Sequence, residues 1–245
     1  MGAPRMTDRR PAFYAATGPA GEWWTLLHAP YTAWHLSYVA IGAALAPRLD
    51  AQRLVATLLA FFFAVGIAAH ALDELHGRPL RTSIPSPVLA AAATAALAGA
   101  VVIGALGVTR TGLVLVPFIV AGAFLVAAYN LELFGGRFHT DAAFAAAWGA
   151  FPVLTAYVAQ AERLAVPALL AALAAYALSR AQRSLSSSVR FVRRQTSRVD
   201  IALDLQDGAE RTAHEELLLD PPEAALRALS WGLPVLAAAL VAARI

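Results

Sequence analysis

Long apolar runs, each close to the length that crosses a bilayer, constrain the fold of this chain more than any other feature. A transmembrane helix needs about 20 mainly apolar residues, and such runs follow one another over most of the sequence. Composition agrees with this pattern, because 59% of the residues are hydrophobic and only 14% are charged. Soluble domains carry about 25% charged residues, so the sequence predicts a polytopic membrane protein.

We expect an all-α transmembrane helical bundle of six to seven or more helices. The runs cover roughly residues 31–46, 54–72, 88–108, 112–133, 142–160 and 164–178, with a last short run at 229–243. They are rich in alanine and leucine and lack alternation, so no β-strand is predicted. The chain then divides into an interfacial N-terminal segment 1–30, a transmembrane bundle 31–180, a basic and then acidic cytoplasmic loop 181–227, and a C-terminal apolar helix 228–245.

The distribution of arginine predicts the orientation, since all 19 basic residues are arginine and positively charged loops stay in the cytoplasm. Six arginines between residues 180 and 198 place that loop inside, and counting back places the N-terminus inside as well. Arg48 and Arg53 lie in an opposite loop and weigh against this assignment. Heavy use of alanine and arginine indicates a GC-rich genome, so we expect a multi-pass protein of the prokaryotic cell (inner) membrane. The basic charge requires no nucleic acid partner, because arginines commonly flank membrane spans.

Ionisable side chains gather on the predicted cytoplasmic side of the bundle. His70, Asp73 and Glu74 share one helix face at the end of the second run, because they are three and four residues apart. All six histidines map to this side: His28, His35, His70, His76, His139 and His214. Ionisable groups in or beside membrane spans are costly to bury and usually functional, so we expect a site here.

This group of side chains has the composition of a divalent metal site. The candidate ligands are His70, Asp73, His76, Glu132, His139 and Asp141. Carboxylates favour Mg²⁺, whereas imidazoles favour Zn²⁺, Mn²⁺ or Fe²⁺, and Mg²⁺ is the first expectation. Arg78, Arg81 and Arg137 suit a phosphate or diphosphate, although the positive-inside rule also expects arginines at these positions. The chain has no cysteine, which excludes disulfides and thiolate ligands.

Four segments of the sequence resemble the UbiA-type intramembrane prenyltransferase superfamily, over about residues 25–160. LLHAPYTAWHLSYVAIGAALA resembles the family's first helix, with L-x-x-P near its start and G-A-x-L-A near its end. AAHALDELHGRPLRTSIP lies where the family has its first aspartate motif, N-D-x-x-D, followed by a loop with R-P-L. AYNLELFGGRFHTD resembles the family's Y-S-x-x-L-K segment, and AAFAAAWGAFPVLTAYVAQ resembles the next helix.

The resemblance implies a helical bundle whose cavity opens to lipid. In this family, Mg²⁺ held by two aspartate-rich motifs binds the diphosphate of a prenyl donor, and the allylic cation left by diphosphate alkylates an acceptor. Asp73 matches the second aspartate of the first motif, and His70 stands where the first aspartate belongs. The resemblance thus implies catalytic roles for Asp73 and His70, and substrate-binding roles for Arg78, Arg81, Tyr129 and Arg137. Glu74, on the same helix face, is a further catalytic candidate, and His35, near the same end of the bundle, is a further substrate-binding candidate.

The sequence also departs from the family pattern. Imidazole is a poor Mg²⁺ ligand, so His70 weakens the metal site, and the usual nine helices exceed the six or seven expected here. The second aspartate motif has one candidate, Asp200-x-x-x-Asp204-x-x-Asp207 followed by Arg211-Thr212. The same acidic residues also suit an amphipathic surface.

Three functions remain open from the sequence. The first is a divergent UbiA-like enzyme that acts on a lipophilic isoprenoid or prenyl diphosphate with a divalent metal. The second is a metal-dependent lipid hydrolase or oxidase built on histidine and carboxylate ligands, although the H-x-x-x-H and H-x-x-H-H spacing of membrane desaturases is absent. The third is a non-enzymatic membrane protein, either a carrier or an assembly factor, and the nearly uncharged centres of the later runs disfavour a carrier.

Overall fold

Eight helices and one β-hairpin make up the part of the chain that the computed structural model describes, namely residue 12 and residues 14–245. The helices are α1 Pro19–Leu26, α2 Ala29–Ala44, α3 Ala51–Leu75, α4 Ser86–Thr111, α5 Leu113–Asn130, α6 Asp141–Ala161, α7 Val166–Gln195 and α8 Glu216–Ala242, with strands β1 Asp200–Asp204 and β2 Glu210–His214 between the last two. A short helical turn, Leu133–Gly136, follows α5. Two helices contain π-helical segments, Phe62–Ala69 in α3 and Ala146–Ala150 in α6.

Five of these helices are long and apolar enough to cross a membrane: α3, α4, α5, α6 and α8. This confirms a multi-pass helical bundle. The expectation of six to seven spans is not confirmed, because α2 has 16 residues, or about 24 Å, against a hydrocarbon core of about 30 Å. Helix α7 is longer, but the second half of this helix contains four arginines, which are costly to place inside a bilayer.

Proline and polar capping residues determine where several helices begin. Pro87 and Pro167 lie in the first turns of α4 and α7, where the missing N–H would have no partner in any case. The Asp50 carboxylate accepts hydrogen bonds from two backbone N–H groups at the start of α3. The Thr140 hydroxyl accepts one from Ala143 at the start of α6, so both caps satisfy amides that a helix leaves unpaired.

Helix α2 forms the centre of the bundle. Trp34, Tyr38 and Val39 are at most 1% exposed, and α2 packs most extensively against α6 and α8. Gly42 allows the close approach to α6, because a Cβ there would lie 2.3 Å from the carbonyl oxygen of Val153. The short α2 is therefore a buried core helix, surrounded by the longer ones.

Residues 181–227 differ from the expected loop. Helix α7 continues without a break to Gln195, and α8 begins at Glu216 and accommodates three prolines. The reason is a tertiary contact, since the carboxylate of Glu223 on α8 is 4% exposed and pairs with Arg193 of α7 and Arg227 of α8. Two arginines thus neutralise a buried charge, and the one from α7, Arg193, holds the two helices together.

The β-hairpin contradicts the expectation that no strand is present. Its strands pair in antiparallel register from Asp200–His214 to Asp204–Glu210. Gly208, with φ +81°, supplies the left-handed residue of the turn. Asp207-Gly208 is a recognised hairpin signal, and the strands are too short for their alternation to stand out beside long helical runs.

Candidate functional site

A polar cavity of about 240 Å³ lies where the ends of several helices meet. The C-terminal ends of α3 and α5, the start of α2, the first half of α6 and the second half of α7 form its walls. The structure brings five of the sequence-predicted site residues into this wall: His35, His70, Asp73, Tyr129 and His139. The polar lining also includes Tyr14, His28, Tyr31, Asn130, Gln182, Ser186 and three arginines of α7.

Asp73 is the carboxylate of this cavity. Its side chain has no hydrogen bond or ion pair with residue 12 or residues 14–245, although it interacts electrostatically with Arg194, His139 and Arg190. The adjacent Glu74 points elsewhere. Its buried carboxylate accepts hydrogen bonds from the backbone N–H groups of Leu80 and Thr82 at 2.9 and 2.8 Å, so Glu74 organises the following loop and does not reach the cavity.

The three arginines predicted to bind substrate do not line the cavity. Arg78 donates hydrogen bonds to the carbonyl oxygen of Ile84 at 2.6 Å and to the hydroxyl of Ser86 at 2.7 Å. Arg81 and Arg137 are exposed. Arg78 therefore stabilises the loop that Glu74 organises, and a different set of cations faces the cavity.

The candidate metal ligands do not form a single metal-binding group. Glu132 lies 3.9 Å from His76 and 3.8 Å from His139, where His76 and Glu132 are about half exposed and His139 is partly buried. Asp141 pairs with Arg183 at 2.9 Å. Among the residues with described positions, no three His, Cys, Asp or Glu side chains form a group that could hold a metal ion. The described residues therefore do not fit the expected metal centre.

The candidate second aspartate motif also lies away from the cavity. Asp200 and Asp204 are on the exposed strand β1. Asp200 pairs with Arg198 and with His214, so His214 is part of the hairpin as well. This position agrees with the alternative of an acidic surface.

A wall of three arginines on α7 is the main feature that the sequence prediction missed. Arg183, Arg190 and Arg194 line the cavity. Arg190 donates to the hydroxyls of Ser186 at 3.0 Å and Ser187 at 2.9 Å. Burial, followed by the repulsion of the other two arginines, lowers the pKa of Arg190 to about 10. Arg190 remains a cation at neutral pH, and the proximity of the three arginines favours an anion between them.

The spacing along α7 explains why these residues share a face. Gln182, Ser186, Arg190 and Arg194 follow at intervals of four, which places them along one side of a helix. Arg183 joins them from the adjacent position, with its guanidinium 5.1 Å from the ring centre of Phe144. This periodicity was present in the sequence, but it is informative only if the helix continues beyond residue 180.

Aromatic and imidazole rings form the opposite wall. The hydroxyl of Tyr14 lies 2.6 Å from Nδ1 of His28, and the His28 ring stacks on His70 with centroids 4.4 Å apart. Burial, with the neighbouring His70, lowers the pKa of His28, so His28 is neutral at pH 7. Nδ1 of His35 donates to the carbonyl oxygen of Trp148 at 2.9 Å, which fixes its ring against α6.

Three polar atoms of the cavity wall are buried without a hydrogen-bond partner in the described part of the chain: Nε2 of His28, the hydroxyl of Tyr129 and Oε1 of Gln182. Tyr129 and Gln182 are each only 5% exposed. An unpaired buried polar atom costs about 1–3 kcal/mol. Such atoms in one cavity indicate a place where a ligand, rather than the protein, supplies the partners.

An apolar groove of about 360 Å³ adjoins the polar cavity. Helices α3, α4, α5 and α6 line it, and Val65 and Trp148 contribute to both spaces. The groove continues along α3 to Gln52, next to Arg110. Thirteen residues separate Val65 from Gln52, or about 20 Å of helix. The two spaces together match an amphiphile with a polar head and a long apolar chain.

Fold and site together define a multi-pass helical membrane protein with a cationic cavity beside an apolar groove. A scan of known family models, a search of curated proteins and a search of solved structures each found no match. The resemblance to the UbiA-type superfamily therefore stays a prediction from the sequence.

Proposed function

We propose that this chain is an integral membrane enzyme of UbiA-like type that transfers the prenyl group of a lipophilic isoprenoid diphosphate. One observation carries the proposal, namely that the cavity lined by three arginines shares two wall residues, Val65 and Trp148, with an apolar groove. Arginine suits the geometry and charge of phosphate groups, and an apolar groove about 20 Å long suits an isoprenoid chain. The cavity then lies on the cytoplasmic side of a prokaryotic cell membrane, where the arginines of α7 belong by the positive-inside rule.

The chemistry follows from the charge that develops as diphosphate departs. The bond between carbon and the diphosphate oxygen breaks, and its electron pair leaves with the diphosphate. Arg183, Arg190 and Arg194 offset this growing negative charge with fixed positive charges in a partly desolvated site. The carbon cation left behind faces the rings of Tyr129 and Trp148, and aromatic faces attract cations.

This mechanism includes no metal ion. The proposed family uses Mg²⁺, but the described residues place a single unpaired carboxylate, Asp73, at the cavity. For the same reason we do not propose the metal-dependent hydrolase or oxidase. The arginines take the position that a metal would otherwise occupy beside the diphosphate.

Thermal-shift titration of the detergent-purified protein tests the proposal. Geranylgeranyl diphosphate should raise the melting temperature, because a ligand that binds only the native state stabilises it by about 2.7 kcal/mol at 100 times its Kd. Geranylgeraniol and inorganic diphosphate, which each hold half of the ligand, should give smaller shifts. EDTA should leave the shift in place.

Variants identify the residues responsible. Arg194→Gln should lose most of the shift, whereas Arg180→Gln, an exposed arginine on the same helix, should keep it. A shift that requires Mg²⁺ and is unchanged in Arg194→Gln would overturn the assignment of the arginine wall. Binding without release of diphosphate under any condition would favour a carrier.

A further inference from the structure

The polar cavity presents two kinds of binding group that one anion cannot satisfy together. Arg183, Arg190 and Arg194 give the cavity positive charge, which favours an anion. Oε1 of Gln182 and the carboxylate of Asp73 need a hydrogen-bond donor, and a diphosphate would repel them. Gln182 is 5% exposed, and its Oε1 has no hydrogen-bond partner among residues 12 and 14–245. The cavity therefore has room for a hydrogen-bond donor that these residues do not supply.

Tyr129 adds the complementary requirement. Its hydroxyl is buried and unpaired in the same described region, and it interacts electrostatically with Arg183 and Asp73. A hydroxyl group both donates and accepts hydrogen bonds. One ligand hydroxyl can therefore accept from Tyr129 and donate to Gln182, whereas a carboxylate, phosphate or alkyl group can do only one of these or neither.

Both side chains are held in position by the surrounding packing. The Tyr129 ring stacks on His139 with centroids 4.5 Å apart and meets the edge of Trp148 at 5.8 Å. On the other wall, a Cβ at Gly149 would lie 2.6 Å from the carbonyl oxygen of Ala175. This close approach of α6 and α7, two turns before Gln182, directs that residue to the cavity.

We propose that the cavity binds a second ligand through a hydroxyl group, with Tyr129 and Gln182 as its positioning residues, and that this alcohol is the prenyl acceptor. The acceptor role rests on the proposed function, whereas the hydroxyl site rests on the unpaired atoms alone.

Ether formation breaks one bond in each reactant and moves one proton. The O–H bond of the alcohol breaks as its hydrogen bond shifts from Oε1 of Gln182 to the carboxylate of Asp73, which takes the proton. The oxygen forms a bond to the carbon that carried the diphosphate, and the bond from that carbon to the diphosphate breaks with its electron pair on the leaving group. The products are an ether, diphosphate and protonated Asp73.

The test uses dodecan-1-ol as the hydroxyl probe and dodecane as its apolar match, with the full chain in detergent. Dodecan-1-ol should raise the melting temperature of the wild type and of Tyr157→Phe, a buried tyrosine outside the cavity. Tyr129→Phe and Gln182→Leu should weaken its binding at least tenfold, and Gln182→Glu, which keeps an acceptor oxygen, should restore it. Dodecane should give no shift in any variant.

A second readout separates positioning from folding. The affinity for geranylgeranyl diphosphate should stay within twofold in Tyr129→Phe and Gln182→Leu, while the KM for the alcohol in diphosphate release rises at least tenfold. If both variants lose the alcohol and the prenyl diphosphate equally, Tyr129 and Gln182 belong to the anion site and the inference is overturned. It is also overturned if both variants bind the alcohol with wild-type affinity. If the alcohol binds and the prenyl diphosphate does not, the hydroxyl site stands and the proposed transferase function fails.

Discussion

Replacing Arg190 with glutamine should stabilise the ligand-free protein. Burial and the neighbouring arginines lower the pKa of Arg190 from its ordinary value to about 10, and one pKa unit corresponds to about 1.4 kcal/mol. The folded protein therefore carries a cost on the order of 3 kcal/mol to keep this cation charged at neutral pH. Glutamine removes that cost but loses the hydrogen bonds to Ser186 and Ser187. Their charge-dependent part is already contained in the pKa of Arg190, so the additional loss is that of an ordinary hydrogen bond, about 1 kcal/mol each. The net gain is about 1 kcal/mol, or about 2–4 °C for a protein of this size.

The same substitution should have the opposite effect on the liganded protein. A hydrogen bond to a charged group contributes about 1.5–3 kcal/mol, so the affinity for geranylgeranyl diphosphate should fall roughly 10- to 150-fold. Differential scanning fluorimetry at pH 7 in one detergent, with and without this ligand, measures both effects. Arg180→Gln is the matched control and should change neither.

The signs of the two effects decide between a binding and a structural role. A structural Arg190 would give a lower melting temperature without ligand and an unchanged ligand shift. That result would refute the argument that the wall of arginines is held at a cost until an anion binds.

Three further predictions concern other parts of the site. Burial lowers the pKa of His28, so only the unfolded chain takes up a proton at this residue as the pH falls below about 6.5, and the stability of the protein should decline there. His28→Gln should reduce the slope of stability against pH by up to about 1.4 kcal/mol per pH unit. Melting temperatures from pH 7.5 to 5 measure this slope. Glu74→Ala should destabilise the protein by about 3 kcal/mol, because it removes a buried charged acceptor. Glu22→Ala, which removes the more exposed hydrogen bond to Ser83 of the same loop, should cost less than about 1 kcal/mol. Urea or thermal unfolding of the two variants under the same conditions compares them. Ala56→Phe narrows the groove about 14 Å from Val65 and should weaken the binding of geranylgeranyl diphosphate but not of geranyl diphosphate. Ala90→Phe, at an exposed position of α4, is the control. Equal loss of both ligands would argue against the groove as the binding site of the isoprenoid chain.

The sequence alone was sufficient to predict the membrane bundle and the position of its polar end. Apolar runs of bilayer length require helices, because every backbone amide in lipid must find its partner within the segment. His70 and Asp73 could be placed together from helical periodicity, and they do line one cavity with Tyr129 and His139. These conclusions depend on local patterns, which are readable without the fold.

Residue type proved a poor guide to which charged groups face the cavity. Glu74 and Arg78 are as polar as Asp73 and lie only a few residues away, yet both satisfy backbone groups of their own loop. Nothing in the motif separates a carboxylate that organises a loop from one that faces a ligand. That distinction depends on which hydrogen-bond partners the folded loop presents.

The tertiary structure alone decided the role of the arginines and the length of α7. Glu223 pairs with Arg193 across α7 and α8, and this contact between residues thirty positions apart keeps a polar segment helical that the sequence suggested was a loop. Because the helix continues, Arg183, Arg190 and Arg194 meet Asp73 and Tyr129 from the far side of the bundle. The composition of a membrane bundle can be read locally, whereas a site made from distant helices depends on how those helices pack.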